Sequence, residues 1–220
     1  MTTHSTPGTR PAARRSGVRT GSSWRLPVTL IALSLVPVIF GFVRLVEIFG
    51  GPQVMPDNPR IDASPAPVVV HVAGAALYAF LGAFQFSARL RRRRPGWHRK
   101  SGRLLVVAGS MVALSGLWMT LFYADAPGGA LLWAVRLTVS SAMFLFIVLG
   151  FRAIRRRNIA AHRAWMIRAY ALALGAGTQI FTEGIGEAVA GTGDLSKGVS
   201  VSSAWVINAA IAEWAVRRHA

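Results

Sequence analysis

Residues 91–103 read "RRRRPGWHRKSGR", a cluster of seven basic side chains around one histidine and one tryptophan. An apolar run precedes it, Ala66–Ala88, and another follows it, Leu104–Tyr123. Each is about 20 residues long, enough for a helix to cross a bilayer core of about 30 Å. Lys and Arg between two such spans are retained in the cytoplasm. The cluster therefore reads as an inner turn between two transmembrane helices, and the fold is all-α.

Four further runs extend the pattern, Leu26–Phe49, Ala130–Phe151, Ala164–Ile185 and Val199–Val216, giving six expected spans. The fifth is the least apolar. The first is too long for a signal-peptide core and lacks a small-residue cleavage site after it, so it reads as an uncleaved anchor. The chain is 53% hydrophobic and 15% charged, with a formal net charge of +17. A charge of that size would normally suggest nucleic acid, but its distribution speaks against such a partner. All basic residues except Arg44, Arg60, Arg136 and Lys197 lie in four blocks, Arg10–Arg25, Arg89–Arg103, Arg152–Arg168 and Arg217–Arg218. With alternating loops these blocks share one side, while Asp57, Asp62, Asp125 and Asp194 face the other. The expectation is a multi-pass protein of the bacterial cytoplasmic membrane with both termini in the cytoplasm. Residues 1–25 form a disordered basic tail, and residues 26–220 a six-helix transmembrane domain. The chain has no cysteine, which removes disulfides, thiolate metal sites and covalent c-type haem attachment.

The two inner turns resemble each other. "RRRRPGWHR" and "RRRNIAAHR" both contain three arginines, four residues, then His-Arg, so Arg91–Arg93 with His98 map onto Arg155–Arg157 with His162. A repeated helical hairpin, helices two and three related to four and five, accounts for this.

Ionisable groups inside spans are costly, on the order of 2.5–3.5 kcal/mol at the bilayer centre, and are functional candidates by default. The outer half of this chain holds Arg44 and Glu47 in the first span, His71 in the second, Arg136 in the fourth, and Glu183 and Glu187 beyond Gln179 in the fifth. Arg44, Glu47 and Glu187 suit interfacial snorkelling and a structural salt bridge. A ligand or proton site is better sought at His71, Tyr78, Gln85, Arg136, Gln179 and Glu183. His71, Gly74, Tyr78, Gly82 and Gln85 recur at helical spacing on one face, where the small residues also admit close helix packing.

His98 and His162 share the cytoplasmic level, His98 in a polar loop ahead of its span. Two imidazoles at one depth are what a bis-His b-type haem requires, which makes b-type haem the one candidate cofactor. The alternative is a pair of hydrogen-bonded histidines that organise the turns. No motif calls for a metal. The arginines act as topology determinants and attract anionic lipid headgroups at the cytoplasmic face. The bilayer is thus the assured partner, and a homo-oligomer stays open.

Three segments resemble the bacterial predicted membrane proteins of domain-of-unknown-function family 2306: "HVAGAALYAFLGAFQF" with His71, Gly82, Gln85 and Phe86; "HRKSGR" with His98, Arg99, Gly102 and Arg103; and "HRAWMIRAYALALGAGTQ" with His162, Arg163, Trp165, Met166, Arg168, Tyr170 and Thr178. The resemblance covers helices two to five and implies roles for His71, Gln85, His98, Arg103, His162 and Arg168. Arg99, Arg163 and Trp165 belong to the same inner-face motif. It departs at Gln179-Ile180, where many relatives have arginine after this Thr. No activity comes with the resemblance. A weaker, architectural likeness is to six-helix b-type cytochromes. Three classes of function follow: a module binding a small ligand or ion or handling protons, a single-haem electron carrier using His98 and His162, and a non-catalytic scaffold or lipid-contacting subunit.

Overall fold

The computed structural model of the protein describes residues 24–124 and 127–218. Of the tail expected over residues 1–25, residues 1–23 lie outside the described residues, while Trp24 is the N-cap of α1 and Arg25 its first residue. Every regular element among those described is an α-helix: α1 Arg25–Ile48, α2 Pro59–Ala63, α3 Ala66–Gln85, α4 Ala88–Arg93, α5 Pro95–Phe122, α6 Gly129–Arg155, α7 Ile159–Ala173, α8 Gly175–Ala190 and α9 Asp194–Arg217. Five of them, α1, α3, α5, α6 and α9, are long and apolar enough to cross a membrane.

The opening stretch is more ordered than the inner loop expected of it. Only Arg94 in residues 91–103 lies outside a helix. Ser87 caps α4, its hydroxyl accepting from the Leu90 amide, and arginine is a good helix former. Pro95 disfavours helical backbone at Arg94 (φ −133°, ψ 66°) and then starts α5 as its first residue. His98 therefore sits in the opening turns of α5, not in a loop ahead of it.

The fifth expected span is also different. In place of one helix over Ala164–Ile185, α7 (15 residues) and α8 (16 residues) follow one another with a break at Leu174. At 1.5 Å per residue each is about 22–24 Å long, too short to cross the hydrocarbon core alone. Close packing accompanies the break. A Cβ on Gly175 would run into the Trp205 indole, and one on Gly177 into the Leu33 carbonyl. Trp205 Nε1 donates to the Leu172 carbonyl at the end of α7, 3.2 Å away.

α3 runs antiparallel to α5, with Gly74 against Val112, Gly109 against Tyr78 and Gln85 against Ser101. α6 packs on both α5 and α7, α9 lies over α6 and α7, and α8 pairs with α9 and touches α1. The core is shared by α3, α5, α6 and α7 and centres on Tyr78, Leu105, Val112, Met143, Ile147, Ala169 and Tyr170. Outside it the usual polarity is inverted. Phe42, Val107, Phe181 and Val206 are more than half exposed, whereas Ser101, Ser115 and Thr120 are buried, with hydroxyls donating to carbonyls of their own helix turn. Apolar side chains outside and internally satisfied polar groups inside are what a hydrocarbon surrounding demands.

Candidate functional site: a small cavity among α3, α5, α7 and α8

A cavity of about 80 Å³ lies where α3 and α5 meet the α7–α8 break, lined by His71, Tyr78, Val112, Tyr170, Leu174 and Ala176 among others. Glycines bring its walls together. A Cβ on Gly82 would stand 2.6 Å from the Tyr170 ring, and one on Gly109 would meet the Tyr78 ring. The two tyrosine rings lie 5.6 Å apart, and Tyr170 donates its hydroxyl to the Ala79 carbonyl at 2.7 Å, tying α7 to α3.

His71 is held in one orientation. Its Nδ1 lies 3.1 Å from the Val112 carbonyl and 3.1 Å from Ser115 Oγ. A carbonyl can only accept, so Nδ1 carries the proton and Nε2 holds a lone pair when the ring is neutral. Ser115 donates to the Met111 carbonyl at 2.6 Å, leaving its oxygen free to accept from the same Nδ1–H. Nε2 of His71 and the hydroxyl of Tyr78 make no hydrogen bond among the described residues. The cavity thus joins a basic nitrogen and a phenol in room sufficient for water or a very small ligand.

The remaining residues expected at this site lie elsewhere. Gln85 is two turns along α3, where its Nε2 donates to Ser101 Oγ at 2.7 Å, tying α3 to α5 beside the inner turn. Arg136 faces the opposite end of the bundle and donates to the Pro127 carbonyl at 3.4 Å, with Arg60 and Glu183 as its charged neighbours. It is linked to the cavity at one remove. Ser140, one turn along α6 from Arg136, lies beside Gly116, which also faces the His71 ring. Glu183 pairs with Lys197 across α8 and α9 at 3.1 Å. Gln179 is one turn beyond Ala176, its buried Nε2 without a partner among the described residues. Arg44 and Glu47 form a salt bridge of 2.9 Å that caps the loop after α1, Glu47 accepting from the Val54 and Met55 amides.

At the Arg-rich end, His162 Nδ1 is 2.9 Å from the Gly150 carbonyl, which makes Nδ1 the protonated nitrogen there too. His98 Nδ1 is buried with no partner among the described residues, and the two imidazoles are within electrostatic reach of each other. Arg99, Arg103 and Arg163 are exposed. Trp165 packs on Phe146 and lies under the Arg168 guanidinium, 4.8 Å from ring centroid to Cζ. Arg168 in turn grips Glu213 with two nitrogens, Nη2 to Oε2 at 2.9 Å. No group of three or more His, Asp or Glu that could hold a metal comes together among the described residues.

Sequence reasoning passed over Glu213, although the rule that flags ionisable groups inside spans applies to it equally. It also passed over Ser115, the hydroxyl that helps orient His71, and Asn208, buried on α9, where its side-chain oxygen accepts from Thr178 at 3.0 Å. Nothing in the sequence pairs these residues with their partners.

Inverted polarity and membrane-length helices define a multi-pass helical membrane protein with a small internal cavity. Residues 68–216 match the family described as Predicted membrane protein (DUF2306), and the chain belongs to that family. The match runs from α3 into the last turn of α9 and includes both the cavity and the Arg168–Glu213 pair. No curated protein and no solved structure matches the chain.

Proposed function

We propose that the chain is a proton-handling module of the bacterial cytoplasmic membrane, and that its working group is His71. The observation that carries this reading is the fixed tautomer. With Nδ1–H held by Val112 and Ser115, Nε2 keeps its lone pair on a ring that lines a small, mostly apolar cavity, where it can accept a proton from water or from a small hydrogen-bond donor. Tyr78 supplies the second polar group there. Arg136 and Glu183 lie outside the cavity lining, at the far end of the bundle, where their charges bias which ions approach that face, and Gln85 holds the inner end of the helix pair.

In this reading α7 and α8 cross the membrane in series as one broken span, the fifth of six, with the cavity beside the break. Broken spans are common beside polar sites because freed backbone groups are tolerated where they line a cavity. Six crossings return the C-terminus to the side of the N-terminus and bring all four Arg blocks to the cytoplasm. The α3–α5 and α6–α7 hairpins, each with a histidine early in its second helix, are then related halves.

Proton flux in reconstituted vesicles with an entrapped pH-sensitive dye and an imposed potassium diffusion potential tests the proposal. The expected result is flux above protein-free vesicles, reduced by about tenfold or more in His71→Gln, the scale of losing one positioned acid–base group, and less in Tyr78→Phe. Equal flux in wild type and His71→Gln overturns it, as does wild-type flux no greater than that of empty vesicles.

A second reading is supported by the Gly150 carbonyl, which fixes His162 with Nε2 free, the arrangement by which an outer hydrogen bond prepares an imidazole for a metal. A b-type haem between His98 and His162 would then make the Arg-rich end an electron-transfer face. An oxidised-minus-reduced absorption spectrum of protein from haem-replete cells decides it, through a Soret and α-band lost in both His98→Ala and His162→Ala.

A further inference from the structure

The Arg-rich end carries a second cavity, unconnected with His71. A cleft of about 240 Å³ opens between the start of α1 and α4, lined by Trp24, Ser87, Arg89, Leu90, Arg93 and Arg94. Arg89 and Arg93 are four residues apart and so project from one face of α4. Arg94 joins them from the turn that follows. Such proximity of like charges is unfavourable unless an anion is shared among them.

No side-chain carboxylate of the chain pairs with these arginines among the described residues. The chain's eight acidic residues are Glu47, Asp57, Asp62, Asp125, Glu183, Glu187, Asp194 and Glu213. Of the described ones, Glu47, Asp57, Asp62, Glu183, Glu187 and Asp194 sit in or between the ends of α1, α2, α8 and α9 that lie away from this turn. Glu213 alone is on the near side, and it is taken by Arg168. Arg91 turns elsewhere, to the Gln85 carbonyl at 3.4 Å. Arg89, Arg93 and Arg94 thus line the cleft as exposed cations with no ion-pair partner among the described residues, open to an anion from outside the chain.

The floor of the cleft identifies its source. Trp24 stands edge-on to Phe84 with ring centroids 6.1 Å apart, and Leu90 and the arginine stems add hydrocarbon beneath the charged tips. Tryptophan at such a level marks the headgroup zone of a bilayer. A free phosphate would use the cationic rim and leave this floor bare, whereas a phospholipid fits both, phosphodiester on the guanidinium forks and glycerol ester region over Trp24 and Leu90. We propose that the cleft of Trp24, Ser87, Arg89, Leu90, Arg93 and Arg94 is a binding site for one anionic phospholipid of the adjacent leaflet, recognised through its phosphate.

Native mass spectrometry of the full chain released from detergent reads the bound lipid directly. Phosphatidylglycerol and phosphatidylcholine with identical acyl chains are titrated onto three proteins: wild type, the cleft variant Arg89→Gln/Arg93→Gln/Arg94→Gln, and a control with the same charge loss at the other inner turn, Arg155→Gln/Arg156→Gln/Arg157→Gln. The first phosphatidylglycerol should bind wild type about tenfold or more tighter than phosphatidylcholine, as several headgroup-facing cations imply. That preference should vanish in the cleft variant and persist in the control. Equal loss in both variants would mean diffuse attraction to the basic end and overturns the site, as does a preference retained in the cleft variant. Displacement of the first lipid by inorganic phosphate alone would assign the cleft to free phosphate and overturns the lipid proposal.

Discussion

The same substitution at two glycines should change stability in opposite directions. Gly82→Ala puts a methyl group where the Tyr170 ring stands, 2.6 Å from Cε2 and 3.1 Å from Cδ2. The ring has little freedom to retreat, since its hydroxyl is bonded to the Ala79 carbonyl and Phe86 packs against it with centroids 5.0 Å apart. Overpacking of this kind costs about 1–3 kcal/mol, while replacing glycine with alanine inside a helix returns about 1 kcal/mol. At the middle of that range the net loss is about 1 kcal/mol. Gly184, within α8, has nothing within 4 Å of its would-be Cβ. Gly184→Ala keeps the helix gain without the clash and should stabilise by up to about 1 kcal/mol. Because the helix term is common to both, the difference between the variants isolates the steric term at about 1–3 kcal/mol. For a chain of this size each kcal/mol moves Tm by about 2–4 °C. Thermal unfolding in one detergent, followed by tryptophan fluorescence, should place Gly82→Ala several degrees below Gly184→Ala. Coincident midpoints would refute the close approach of α3 and α7 that shapes the cavity.

Further expectations concern the ties around the site. Glu213→Gln should lower stability by about 1 kcal/mol, a value discounted because its carboxylate is partly exposed; the swap Arg168→Glu/Glu213→Arg should recover part of the loss in a double-mutant cycle, and strict additivity would count against the pair. Ser101→Ala leaves the Gln85 amide without its acceptor and should cost about 1 kcal/mol, whereas the exposed Arg99→Ala should change stability by less than about 0.5 kcal/mol. Lys197→Gln should shift Tm only slightly, and less again in high salt, as a half-solvated ion pair implies. Since the natural sequence has no cysteine, single cysteines at Arg92 and at Asn58 report orientation cleanly: an impermeant maleimide should label position 58 and not position 92 in intact cells, and the reverse would contradict cytoplasmic Arg blocks.

The membrane character was legible in the sequence because hydrocarbon imposes long apolar runs and the Arg blocks punctuate them. Expected and observed helix ends agree within a few residues for α1, α6 and the start of α3. The α5 start and the fifth span were not legible for two distinct physical reasons. Arginine clusters signal topology, yet they also form helix readily, so charge alone hid the extension of α5 back to Pro95. The break at Leu174 follows from how Gly175 and Gly177 pack against Trp205 and Leu33, partners distant in sequence. The candidate site divided in the same way. Helical spacing put His71 and Tyr78 on one face, and both line the cavity. Depth alone grouped Arg136 and Glu183 with them, but depth carries no information on azimuth, and those residues meet Pro127 and Lys197 instead. Glu213 was open to the rule for ionisable groups inside spans, but its partner Arg168, 45 residues away, was not legible.

Nitrogen-15 NMR of the histidine-labelled protein in bilayers, with the His71 signals assigned by their loss in His71→Gln, addresses the central claim most directly. Neutral His71 carrying its proton on Nδ1, with an unprotonated Nε2 that shows contact with water, is the predicted result. A proton on Nε2, or an Nε2 with no water contact, would contradict a poised acceptor in the cavity.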